Sequence, residues 1–103
     1  MAMFEKHASS RIGTTQVIAY DASTAITNAF GAGTYQIRLV SNSACHFKIG
    51  DGAQTATAAD PFLPANWETF VTVTPGQRIS AIKAATGGLV TATAGSLWVT
   101  EVL

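Results

Sequence analysis

A chain of 103 residues with six Lys+Arg against six Asp+Glu has room for one domain and carries no formal net charge. That balance excludes a nucleic-acid binder that works by neutralising phosphates, and a 48% hydrophobic content excludes disorder. No apolar stretch approaches the roughly 20 residues of a membrane helix, and a single cysteine excludes an internal disulfide and a Cys-rich zinc site.

Ala, Ser and Thr make up 39 of the residues, and the 14 Thr with nine Gly favour strands and turns over long helices. With only 12% charged residues, little repels neighbouring copies, so the surface suits a protein that packs against others.

Residues 1–13 read as an N-terminal arm: polar, without a period of 2 or 3.6, and lacking the apolar core of a signal peptide. Residues 14–103 form the predicted domain. Thr14 to Tyr20 read as a first strand ended by Asp21. Between Asp21 and Phe30 the β-branched Thr24, Ile26 and Thr27 favour loop and short strand over a helix capped by Asp21. In residues 34–40, Tyr35, Ile37 and Leu39 share one face, with Gln36 and Arg38 on the other. After Ser41-Asn42-Ser43, Cys45, Phe47 and Ile49 alternate with His46 and Lys48, and the two strands read as a hairpin.

Pro61 and Pro64 bracket Phe62 and Leu63 in a loop or sheet edge. Residues 67–73 form the next strand. Thr74-Pro75-Gly76-Gln77 has the chemistry of a type II turn. Residues 78–84 follow, with Ile79 and Ala81 on one face and Ile82 and Ala84 on the other. Gly87-Gly88 reads as a turn, and residues 89–94 and 97–102 complete the set, separated by Gly95-Ser96. Ile37 and Trp98 are the expected core residues. Seven to eight short antiparallel strands at this spacing define an all-β chain, a single compact β-sandwich or jelly-roll-like barrel.

No catalytic constellation emerges. Cys45 and His46 are strand neighbours whose side chains point to opposite faces, so they form no nucleophile–base pair within the strand. Cys45 reads as a small buried hydrophobe. Two histidines alone rarely make a metal site. Asp21, Asp51 and Asp60 sit at turns, where their carboxylates bond nearby backbone. Gly31-Ala32-Gly33 precedes a strand and is no dinucleotide fingerprint. No enzyme activity, cofactor, metal or small-molecule substrate is expected.

The order of segments from Thr34 to Leu103 resembles the small β-structured virion proteins encoded in the structural modules of tailed bacteriophages. The likeness is carried by Tyr35-Gln36-Ile37-Arg38-Leu39-Val40 followed by Cys45-His46-Phe47-Lys48-Ile49-Gly50. Thr55-Ala56-Thr57, Phe62-Leu63-Pro64-Ala65, Thr74-Pro75-Gly76-Gln77-Arg78-Ile79 and the closing Leu97-Trp98-Val99-Thr100-Glu101 come next. The resemblance implies a many-copy capsid decoration or cement protein, made in the host cytoplasm and carried on the capsid surface of the virion. Its implied partner is the major capsid protein. It implies a homo-oligomer, with a trimer at a three-fold position as the expected symmetry, and no nucleic-acid or membrane partner. Phe4, Phe62, Leu63 and Trp67 are the candidate anchors, with the arm placed to add a strand to a neighbour's sheet. The rival classes are a carbohydrate-binding sandwich that stacks sugars on Trp67 or Trp98, a tail or connector component, and a small hydrolase.

Overall fold

A computed structural model describes residues 12–84 and 93–103. These contain eight strands and no helix: β1 (Ile12–Tyr20), β2 (Ala25–Ile26), β3 (Gln36–Ser41), β4 (Cys45–Gly50), β5 (Phe62–Leu63), β6 (Glu68–Thr72), β7 (Arg78–Lys83) and β8 (Gly95–Val102). They form two four-stranded sheets, in the orders β1-β8-β3-β6 and β2-β7-β4-β5. Every pairing is antiparallel.

The pairing follows one rule. First meets last, second meets seventh, third meets sixth and fourth meets fifth, as if one long hairpin had been rolled up. Two further pairings, β3 with β8 and β4 with β7, close the roll into sheets. This is the jelly-roll arrangement of a β-sandwich.

Alternation along the strands makes the core. Ile18 and Tyr20 of β1, Ile37 and Leu39 of β3, and Leu97 and Val99 of β8 point inward from one sheet. Cys45, Leu63, Ile79 and Ala81 meet them from the other, with Phe47 and Ile49 packed alongside. Phe30 closes one end, held by its N–H to the Gln77 carbonyl at 2.9 Å.

Several expectations agree with this arrangement. Ile37 is wholly buried. The segment after Asp21 holds only the two-residue β2. The proline-bracketed pair Phe62–Leu63 is a short edge strand beside β4. The turn after β6 has Gly76 at φ 86° and closes with Gln77 N–H on the Thr74 carbonyl at 3.1 Å, as a type II turn requires.

Other expectations are corrected. β3 and β4 do not form a hairpin: they lie in different sheets and face each other across the core. A hairpin and an arch between sheets show the same alternation, so periodicity does not separate them. The link between them settles it. It holds no glycine for a tight two-residue turn, and Asn42 bonds instead to the start of β8: its Oδ1 accepts the Ser96 N–H at 2.8 Å.

Gly95 and Ser96 are not a break but the first residues of β8. Gly95 is there because the β3–β4 link presses on it: an added Cβ would stand 2.0 Å from Ser43 Oγ and 2.6 Å from Asn42 Oδ1. Trp98 is not core. It alternates with the inward Leu97 and Val99, points outward and is 37% exposed. Tyr35 precedes β3 rather than sharing its inner face, and is exposed. Along β7, Ile79, Ser80 and Ala81 are all buried, because residues beyond β4 fold over the outer side of that sheet: the Ala56 N–H donates to Ser80 Oγ at 3.1 Å. Ile12 and Gly13, expected in the arm, belong to β1, while residues 1–11, including Phe4, lie outside the described residues. The expected Gly87-Gly88 turn and most of the strand at 89–94 also fall outside them.

Candidate interaction surfaces

Three of the four expected anchors, Phe62, Leu63 and Trp67, lie among the described residues, in different settings. Leu63 is 2% exposed and part of the core. β5 alternates across only two residues, which sends Leu63 inward and Phe62 outward. Phe62 is partly exposed and leans on His46, with ring centroids 5.4 Å apart. The imidazole is fixed from its other side: Nδ1 donates to the Asp60 carbonyl at 2.8 Å. Asp60 in turn accepts the Thr57 N–H at 2.7 Å, closing the turn before Pro61. Trp67 is 57% exposed just before β6, next to Asn66, which takes φ 58°. Asn is among the few residues that adopt this left-handed geometry readily.

The outer face of the β1-β8-β3-β6 sheet has a larger apolar surface than the sequence suggested. Strand register places Val17, Trp98, Val40 and Glu68 in one row across it. The next row is Thr15, Thr100, Arg38 and Phe70. Val17 is 55% exposed and Phe70 41%. Arg38 Nε donates to the Glu68 carboxylate, and the Thr15 and Thr100 hydroxyls meet at 3.0 Å. Composition alone did not single out Val17 or Phe70. Their signal was period: each is an apolar residue on the outward phase of its strand.

Just before β5, the Phe47 N–H of β4 donates to the Pro61 carbonyl at 3.1 Å. A solvent-open cleft of about 460 Å³ lies there, between the sheets, with Phe47, Ile49 and Val71 as its apolar lining and Lys48, Asp60 and Gln77 at its polar rim.

The buried polar groups serve the fold. Glu101 points inward from β8, and its carboxylate accepts from Thr34 Oγ1 and from the Gly31 N–H at 3.3 Å, which ties down the loop before β3. Tyr20 OH donates to the Ser43 carbonyl, and Ser43 Oγ lies 3.0 Å from both Tyr20 OH and the Thr93 carbonyl. Burial pushes the Tyr20 hydroxyl up to about 12 and the Cys45 thiol up to about 11. A thiol so placed is protonated at neutral pH and unreactive. At the surface, the Ala22 N–H and then Lys83 hold the Asp21 carboxyl below its ordinary range. Among the described residues no group of three or more His, Cys, Asp or Glu is placed to hold a metal ion. No described helix is long and apolar enough to cross a membrane.

Compared with family models, with curated proteins and with solved structures, the chain matches none.

Proposed function

We propose that this chain is a non-enzymatic, many-copy structural component of a tailed-bacteriophage particle, acting as a head decoration protein that binds major capsid subunits. The observation that carries this reading is the spread of large apolar side chains over several sides of a chain with no formal net charge. Val17, Phe70 and Trp98 lie on one sheet face, Phe62 on the other sheet, and Trp67 and Tyr35 beyond strand ends. A component with several neighbours needs several contact surfaces, whereas a binder of one ligand needs one. The jelly roll supports the reading by analogy alone, since viral capsid domains use it and so do lectins.

The test is binding to purified shells that lack the protein. Saturation at a fixed number per capsomer, with a rise in shell melting temperature, is the expected result. Shells that neither retain nor are stabilised by the protein refute it. One observation favours a second reading, glycan binding: Trp67 and Tyr35 expose aromatic rings in an architecture that lectins also use. Loss of glycan-array binding on Trp67→Ala would favour that reading instead.

A further inference from the structure

We propose that the outer face of the β1-β8-β3-β6 sheet is where two copies of this chain pack together about a two-fold axis. The contact deepens the proposed many-copy role and rests on it for its place in the particle.

The face is complementary to itself. Its two central rows hold one cation, Arg38, and one anion, Glu68, on adjacent strands and one register step apart. The other six positions of these rows are uncharged. Let a two-fold axis lie in the interface, perpendicular to the strands, between the row of Trp98 and the row of Arg38. Each row then lies on the other row of the second copy. Arg38 comes beside the partner's Glu68, displaced sideways by one strand spacing of about 4.8 Å. The partner's Arg38 stands in the same relation to Glu68, so the two ion pairs become a four-charge cluster at one side of the contact.

The same axis brings the apolar residues together. Trp98 and the partner's Trp98 lie over the same strand pair, offset along it by about 6.6 Å, two residues of rise. Val17 and Val40 flank each indole by register. A central aromatic shielded by aliphatic neighbours is the usual site of binding energy in an interface. A face with net charge would point to a partner of opposite charge. This one, balanced by a single pair, points to a second copy of itself.

Size sets the strength. Four strands about 4.8 Å apart and six residues at about 3.3 Å each cover roughly 19 by 20 Å, or about 400 Å² per copy before surface relief is counted. A standard stable interface buries about 800 Å² per partner. The dimer is therefore weak when free, and gains from the high local concentration of a particle surface.

The experiment is a charge exchange followed by sedimentation of the full chain from micromolar to millimolar concentration. The unaltered protein is expected to show a rapid monomer–dimer equilibrium. Arg38→Glu alone and Glu68→Arg alone each place like charges together and should weaken self-association by at least about tenfold. Mixing the two variants should restore a dimer, now mixed, because each face carries one sign. Amide shifts on dilution of the unaltered protein, needing no substitution, should concentrate on Val17, Trp98, Val40 and Arg38.

A protein that stays monomeric at millimolar concentration overturns the proposal. So does an oligomer, a trimer included, that both substitutions leave intact, or dilution shifts centred on Phe62 and His46. Shell binding is measured separately: shells that bind a strictly monomeric protein would leave the decoration role standing and remove this contact.

Discussion

Replacing Gly95 by alanine should be among the most damaging small changes available in this fold. The new Cβ would stand 2.0 Å from Ser43 Oγ, 2.6 Å from Asn42 Oδ1 and 2.9 Å from Ser43 Cβ. Real atoms do not approach so closely, so either β8 moves away from the β3–β4 link or Ser43 rotates. Rotation gives up the contact of Ser43 Oγ with Tyr20 OH, inside the core. Overpacking typically costs about 1–3 kcal/mol, and stranding a buried polar group a further ~1–3 kcal/mol. The expected loss is therefore roughly 2–6 kcal/mol, or a melting-temperature drop on the order of 10–30 °C for a domain of this size. Urea denaturation with a constant m-value is the assay. Ser43→Ala, made alone and together with Gly95→Ala, completes a double-mutant cycle. The hydroxyl in conflict is then absent, and a coupling of about 1 kcal/mol or more should appear. A cost below about 1 kcal/mol for Gly95→Ala, or strict additivity with Ser43→Ala, would refute the close-approach argument.

Ile37→Ala should cost roughly 2–5 kcal/mol in chemical denaturation, since the side chain is wholly buried; under about 1 kcal/mol would contradict that burial. Glu101→Ala should cost about 1–3 kcal/mol by leaving Thr34 Oγ1 and the Gly31 N–H without their acceptor, and Glu101→Gln, which keeps a carbonyl, should recover part of it. Equal losses in the two variants would mean the carboxylate oxygen does not hold the loop. Cys45 should react with a thiol reagent only at the rate of opening, so a burst of labelling in the native protein would count against its burial. The Tyr20 hydroxyl is raised from 10.0 to about 12 in the fold, so its contribution is full below pH ~10 and is lost as pH rises through about 12. Tyr20→Phe should flatten that alkaline decline, and an unchanged slope would assign it to other groups.

Strand existence was largely legible because burial on one face writes a period of two into the chain. Ile37 and Leu39, or Cys45 and Phe47, cannot be inward without Arg38 and His46 being outward. Strand neighbours were not legible, because the same alternation serves a hairpin and an arch. Only the non-local bonds of Asn42 and Ser43 to β8 and Tyr20 decide between them. Trp98 was misread for a related reason. Leu97-Trp98-Val99 is apolar on both phases, so local pattern could not say which face was core. Gly95 looked like punctuation, yet its role is to admit the β3–β4 link. The distinction between Phe62 and Leu63 needed the position of β5 at the edge of its sheet. The outer apolar face was hidden because its members come from four strands distant in sequence, joined only by register.

The rolled-hairpin pairing also ranks the strand pairs by loop-closure cost. Cys45 meets Leu63 across one loop, whereas Ile12 must find Val102 across nearly the whole chain. Closing the long loop first would carry the largest entropic cost, but each inner pair that forms shortens the loop left for the next. The low-cost route zips outward from β4 and β5, and places β1 last onto a platform already assembled. Such topologies fold in milliseconds to seconds. Release of β1 bares the backbone edge of β8 beside the Trp98 face, a combination that invites one chain to complete the sheet of another. Native-state hydrogen exchange should find β1 the least protected of the long strands, and any slow loss of protein on storage should track its opening rather than global unfolding.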